Sequence, residues 1–178
     1  MRSTTFEFFL FVALLLALYS VFMYVPTERQ MGAVQRIFYF HVPSAMTAFL
    51  AYACAFVGSI QYLRTKRLGY DQFAAVTAEL GVLFSIVVLI TGPLWAKPTW
   101  GVYWRWEPRL TSMLIMFAMY VAYLMVRSYS ASSPEGMRRI AAVLGIVITM
   151  ASLGDGDTMA IGAHVAAALV GTFLEGAP

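Results

Sequence analysis

Residues Phe73 to Trp95 read FAAVTAELGVLFSIVVLITGPLW, a run in which Glu79 is the single charged side chain. A helix rises about 1.5 Å per residue and the hydrocarbon core of a bilayer is about 30 Å thick, so about 20 such residues cross it. The stretch is predicted to be a transmembrane helix. Working outward, two runs of the same kind precede it, approximately Phe8 to Val25 and Pro43 to Leu63, and Leu110 to Val126 follows it. Ile140 to Leu153 and Met159 to Leu174 are shorter apolar runs, parted by Gly154, Asp155, Gly156 and Asp157 as a turn signal. The expected fold is all-α: a polytopic membrane helix bundle of about six transmembrane helices with an outward tryptophan-rich loop.

Composition agrees. Of 178 residues, 61% are hydrophobic and 12% charged, and the mean hydropathy is +0.74, whereas soluble domains carry about 25% charged residues. The net charge of +3 arises from 12 basic against 9 acidic residues, scattered in short clusters between apolar runs, which excludes a continuous nucleic-acid-binding face. Cys54 is the single cysteine, so neither an internal disulfide nor a C-x-x-C redox pair is available. No small-residue cleavage site follows the first apolar run, which reads as a retained signal anchor. With no repeat and no long linker, residues 1–178 read as a single membrane domain.

Short loops rich in Lys and Arg stay cytoplasmic. Arg2, Arg64, Lys66, Arg67, Arg127, Arg138 and Arg139 fall on one side and Arg29, Arg36, Lys97, Arg105 and Arg109 on the other, seven against five. Two compact clusters carry the assignment. Both termini are then expected in the cytoplasm of a bacterium, with the segment before the second span, the loop after the third, and the Gly154–Asp157 turn in the periplasm.

The periplasmic features hold the chemistry. The second span is introduced by RIFYFHVPSA, Arg36 to Ala45, where Pro43 suits the first helical position and places His41 just before the first turn. A neutral imidazole at that level is either a helix-capping interfacial group or a metal ligand. The loop after the third span reads TWGVYWRWEPRLTS, Thr99 to Ser112. Interfacial aromatics are common, but Trp95, Trp100, Tyr103, Trp104 and Trp106 are more than one loop needs as an anchor. Pro98, Gly101 and Pro108 point to an irregular segment, in which Trp104 and Trp106 would share a face. Such a surface suits a planar apolar ligand. Arg105 and Arg109 can pair with carboxylates, and Glu107 between them either pairs with one of the arginines or meets the ligand. A planar, apolar, carboxylate-bearing and metal-centred ligand would use all of these groups, and haem has those properties.

At this point the chain resembles the haem-handling membrane proteins of cytochrome c maturation, whose signature is W-G-x-x-W-x-W-D. Here it stands as Trp100, Gly101, Val102, Tyr103, Trp104, Arg105, Trp106 and Glu107, with glutamate for aspartate. The following Arg109, Leu110, Thr111 and Ser112, with His41-Val42-Pro43 upstream, are most similar to the haem exporter protein C branch, over about Tyr24 to Val126. The resemblance implies haem b as the cofactor, held by the tryptophan loop and two outward histidines. It also implies transfer to a periplasmic haem chaperone and an ABC-type transporter complex as partners. His41 matches the first histidine. From Gly154 onward the chain departs from the family pattern, leaving His164, in the small-residue run MAIGAHVAAALVG, as the second axial candidate or as a polar group between helices.

Glu79 is read as reaching toward Arg64 or Lys66 rather than as a site residue, and Met31 and Met113 as packing. Three function classes remain: haem binding and transfer without bond-making catalysis, a membrane cytochrome c haem lyase, and a transporter or channel subunit without haem. A lyase is expected to carry a large docking region for which 178 residues leave no room.

Overall fold

The structure, a computed structural model, describes residues 4–128, 135, 138–143, 145 and 146. The sixth expected span, most of the fifth, the Gly154–Asp157 turn and His164 lie outside the described residues. Among the described residues the long helices are, in order, α1 (Thr4–Tyr19), continued by a π-helical turn over Ser20–Tyr24, then α2 (Gln35–Thr65), α3 (Leu68–Trp100) and α4 (Pro108–Ser128). Among the described residues there is no β-strand, and three helical stretches, Thr4–Tyr24, Gln35–Thr65 and Leu68–Trp100, are long and apolar enough to cross a membrane. The fourth expected span does form a helix, with a shorter apolar stretch over Leu110–Met125.

The centre is the α2–α3 hairpin. Lys66 closes α2 in the left-handed region at φ 58°, and its N–H reaches the Tyr62 carbonyl at 2.8 Å. Arg67 is extended and α3 starts at Leu68, so the two helices run antiparallel from a two-residue turn. The buried side of α3 reads Asp71, Ala74, Ala78, Gly81, Ser85, Val88, Gly92 and Ala96. That alternation of three and four residues is the seam of a left-handed helix pair, and its small side chains let the backbones approach closely in lipid. At Gly81 a Cβ would stand 2.4 Å from the Tyr52 ring, so the glycine is the socket for that ring.

Tyr52 also joins α4. Its ring stacks on Tyr120 at 4.0 Å, and Tyr120 meets Tyr123 edge to face. The Ser85 hydroxyl donates to the Gly81 carbonyl at 2.8 Å, so in the 2.8 Å contact with Ser85 it is the Tyr52 hydroxyl that donates. At the far end, Asp71 is 5% exposed and takes a two-pronged ion pair from Arg127, at 2.5 and 2.9 Å, with Arg138 at 3.7 Å. A carboxylate so placed needs its charge paired.

α1 buries none of its residues, and Phe22 in the π turn reaches Phe40 of α2 at 6.0 Å. Both expected helix boundaries next to the site move. α2 begins at Gln35 and runs through Pro43, so His41 is inside the helix and not ahead of it. Pro43 forfeits only the bond to the Tyr39 carbonyl, and membrane helices tolerate that loss. Short-range bonds from Gln35, Arg36 and Ile37 back to Gly32, Ala33 and Val34 start the helix early. Likewise α3 continues through Pro93 and Pro98 to Trp100, so the first part of the tryptophan run is helical. It stops where Gly101 takes φ 78° and returns its N–H to the Lys97 carbonyl at 2.9 Å. The irregular part is residues 101–107, and Pro108 opens α4.

Candidate functional site

At the end where α2 and α4 start and α3 stops, the helices enclose a cavity of about 270 Å³. α2 contributes His41, Ala45 and Phe49, α3 contributes Val88, Leu89, Gly92, Pro93, Trp95 and Trp100, the loop contributes Trp104 and Glu107, and α4 contributes Leu110 and Met113. The walls are apolar and aromatic, with one imidazole and one carboxylate.

Extension of α2 beyond Pro43 carries His41 to the wall of this cavity and against α3. Its Nδ1 lies 2.9 Å from Thr91 Oγ1. A Cβ on Gly92 would lie 3.4 Å from His41 Cε1, so the ring rests on bare backbone. Thr91 is in turn tied to its own helix, its hydroxyl 2.7 Å from the Val87 carbonyl.

The aromatics sort into two groups. Trp95 and Trp100, on the last turns of α3, meet edge to face at 5.5 Å, and with Trp104 they line the cavity. Trp104 touches Trp106 at 5.7 Å, yet Trp106 is 79% exposed and outside the cavity. The two do not present a common face, since Trp104 lines the cavity and Trp106 lies exposed outside it. Tyr103 is 57% exposed and lies under Lys97 Nζ at 5.1 Å. The guanidinium of Arg105 lies 5.9 Å over the Trp100 ring, on the rim. Among the described residues Glu107 makes no ion pair, and its carboxylate belongs to the cavity wall. Arg109 is the second residue of α4, and nothing is described of its side chain.

Among the described residues the indole nitrogens of Trp95 and Trp104 are buried without a hydrogen-bond partner. A buried N–H left unpaired costs about 1–3 kcal/mol, and both side chains line the cavity, so an occupant with acceptor oxygens would relieve the cost. Among the described residues no three His, Cys, Asp or Glu side chains gather as a metal site. A single imidazole among tryptophans is the donor set for an ion that brings its other ligands along, as a porphyrin does.

The sequence reading had His41, Trp100, Trp104 and Glu107, which converge here. It missed Thr91, Gly92 and the cavity role of Trp95. Their signal is helical register, since Val88, Gly92 and Trp95 recur at four and three residues on one side of α3. Among the described residues Glu79 makes no ion pair with Arg64 or Lys66. It lines a groove between α3 and α4 that also holds Arg127.

The sequence profile of the family described as "Heme exporter protein C" matches residues 3–152. The chain belongs to the heme exporter protein C family. Among individual relatives, a ccmC-like mitochondrial cytochrome c biosynthesis protein of Marchantia polymorpha is 38% identical over 116 residues, covering 65% of this chain and 51% of its own length. The heme exporter protein C of Bradyrhizobium diazoefficiens is 37% identical over 122 residues, 68% of this chain and 46% of that protein. That of Escherichia coli K12 is 36% identical over 107 residues, 58% and 42% of the two chains. The chain thus spans about half the length of the curated relatives of this family that it matches.

Proposed function

We propose that the chain binds haem b in the cavity beneath the tryptophan loop and hands it on during cytochrome c assembly, as a delivery protein and not a catalyst. The observation that carries this is the convergence of His41, Trp95, Trp100 and Trp104 on one apolar cavity. Family membership supports the same reading.

In this proposal His41 would ligate the iron, with His164 the candidate for a second ligand. Trp95, Trp100 and Trp104 lie against the macrocycle. The indole N–H groups of Trp95 and Trp104 and the guanidinium groups of Arg105 and Arg109 meet the propionates, with Glu107 beside them and the Gly101 turn shaping the loop. Tyr103 and Trp106 stay on the outer rim, where a receiving protein docks. At about 270 Å³ the cavity is just under the range of about 300–1,000 Å³ for sites that bury a small ligand. A cavity of this size would hold part of a porphyrin and leave the rest accessible for release.

The wider setting is part of the proposal. The chain is a multi-pass protein of the bacterial inner membrane with about six spans, both termini cytoplasmic and the tryptophan loop periplasmic. It is surrounded by lipid, works alongside ABC-type transporter subunits and presents haem to a periplasmic haem chaperone. The test is a haem titration of the purified protein in detergent. A Soret band at stoichiometric haem that is lost or displaced in His41→Ala supports the reading, and a parent protein that binds no haem refutes it.

A further inference from the structure

Thr91 has one hydroxyl proton and two close neighbours able to accept it, the Val88 carbonyl at 3.5 Å being a distant third. The Val87 carbonyl oxygen is 2.7 Å from Oγ1, and His41 Nδ1 is 2.9 Å from it. If the proton goes to Nδ1, the imidazole hydrogen sits on Nε2, and one hydrogen bond holds the group together. If it goes to the Val87 carbonyl, Oγ1 accepts from Nδ1–H and two bonds form, each proton having an acceptor. Among the described residues the His41 ring makes its hydrogen bond through Nδ1 and none through Nε2, so the arrangement that pairs both protons wins. Ser85 behaves the same way two turns earlier on α3, donating to Gly81 while accepting from Tyr52.

From this we infer that Thr91 is a positioning residue, which holds His41 in the Nδ1–H tautomer and leaves Nε2 as a bare lone pair for whatever occupies the cavity. Gly92 adjoins the seat, where an added Cβ would stand in ordinary contact with the His41 ring at 3.4 Å. The tautomer follows from the hydrogen bonds alone. Its consequence for ligand binding rests on the haem reading given above. An imidazole that donates its second N–H is better oriented and more basic toward a metal, and loss of such a partner typically weakens metal binding about 10- to 100-fold.

Two measurements on the whole chain test this separately. In the first, haem-free protein labelled with 15N-histidine carries His164→Gln, so that His41 is the sole remaining histidine. At a pH where the ring is neutral, the nitrogen spectrum of the parent should show a protonated Nδ1 and an unprotonated Nε2. Thr91→Val should move the population toward Nε2–H, and Thr91→Ser should restore it. In the second, with His164 intact, haemin is titrated into the same Thr91 variants. Thr91→Val should bind about tenfold more weakly with a shifted reduced-state spectrum, and Thr91→Ser should stay within about twofold of the parent. A parent spectrum dominated by Nε2–H, or Thr91→Val that matches the parent in both measurements, overturns the inference. Should His41→Ala bind haemin as the parent does, the haem reading falls, and the nitrogen spectra still decide whether Thr91 sets the tautomer.

Discussion

Trp104 and Trp106 are two positions apart and touch, yet one closes the cavity and the other is 79% exposed. Their substitutions should separate accordingly. Trp104→Ala removes aromatic surface from the binding cavity and should weaken haem binding by about 1.5 kcal/mol or more, while Trp106→Ala should change it by less than about 0.5 kcal/mol. Haem titration at matched protein yield checks this, and a larger loss in Trp106→Ala would put the platform on the outer face of the loop. Arg105 sits over Trp100 at the rim, so haem with esterified propionates should bind the parent more weakly than the free acid, by about 1 kcal/mol. Equal binding of the two forms would assign this arginine to other work. The density of aromatics was readable from Trp100 to Trp106, as was His41 from its Pro43 neighbour. Which ring points inward was not, because it depends on the path of the irregular segment between α3 and α4, and the partner of His41 lies fifty residues away on another helix.

At the scale of the elements, apolar length predicts that α1, α2 and α3 exist but not where they end. Pro43 and Pro98 are stop signals in water, where a freed carbonyl is easily hydrated and the helix gives way. In these helices they are absorbed, and the difference matters, since the extra turns carry His41 and Trp100 to the cavity. The α2–α3 seam was hidden for another reason: its small residues stand out only once a partner helix is known. It makes a sharp prediction. Gly81→Ala drives a methyl into the Tyr52 ring and should cost about 1–3 kcal/mol, whereas Tyr52→Phe, which keeps the ring and loses the bond to Ser85, should cost about 0.6 kcal/mol. Thermal unfolding in detergent reads both, and a milder effect for Gly81→Ala than for Tyr52→Phe would contradict the socket. At the other end, Asp71→Ala leaves Arg127 facing a partly buried site without its carboxylate. It should cost about 3–5 kcal/mol, and replacing Arg127 with Met in the same chain should recover part of that loss.

On the scale of the whole molecule, the hairpin sorts the charged segments into two ends. The cavity end carries Arg36, Lys97 and Arg105, and the opposite end carries Arg64, Lys66, Arg67, Arg127 and Arg138. Sequence counting anticipated this division because each basic cluster directly flanks an apolar run, and helix length then fixes which clusters share an end. The positive-inside rule counts Lys and Arg near span ends whether or not they are paired, so the ion pair from Asp71 to Arg127 does not weaken the bias. The cavity and tryptophan loop are accordingly expected on the periplasmic side. The single native cysteine makes this simple to check: Cys54 lies within α2 and is replaced by alanine to give a silent background. Val102→Cys then places a thiol on the loop at a position 41% exposed. Gly69→Cys places one at the start of α3, where a Cβ meets nothing within 4 Å. In intact spheroplasts a membrane-impermeant maleimide should label Val102→Cys and spare Gly69→Cys, which should react only after permeabilisation. The reverse pattern would turn the molecule over, putting the cavity on the cytoplasmic side, where it could not serve the periplasmic delivery proposed above.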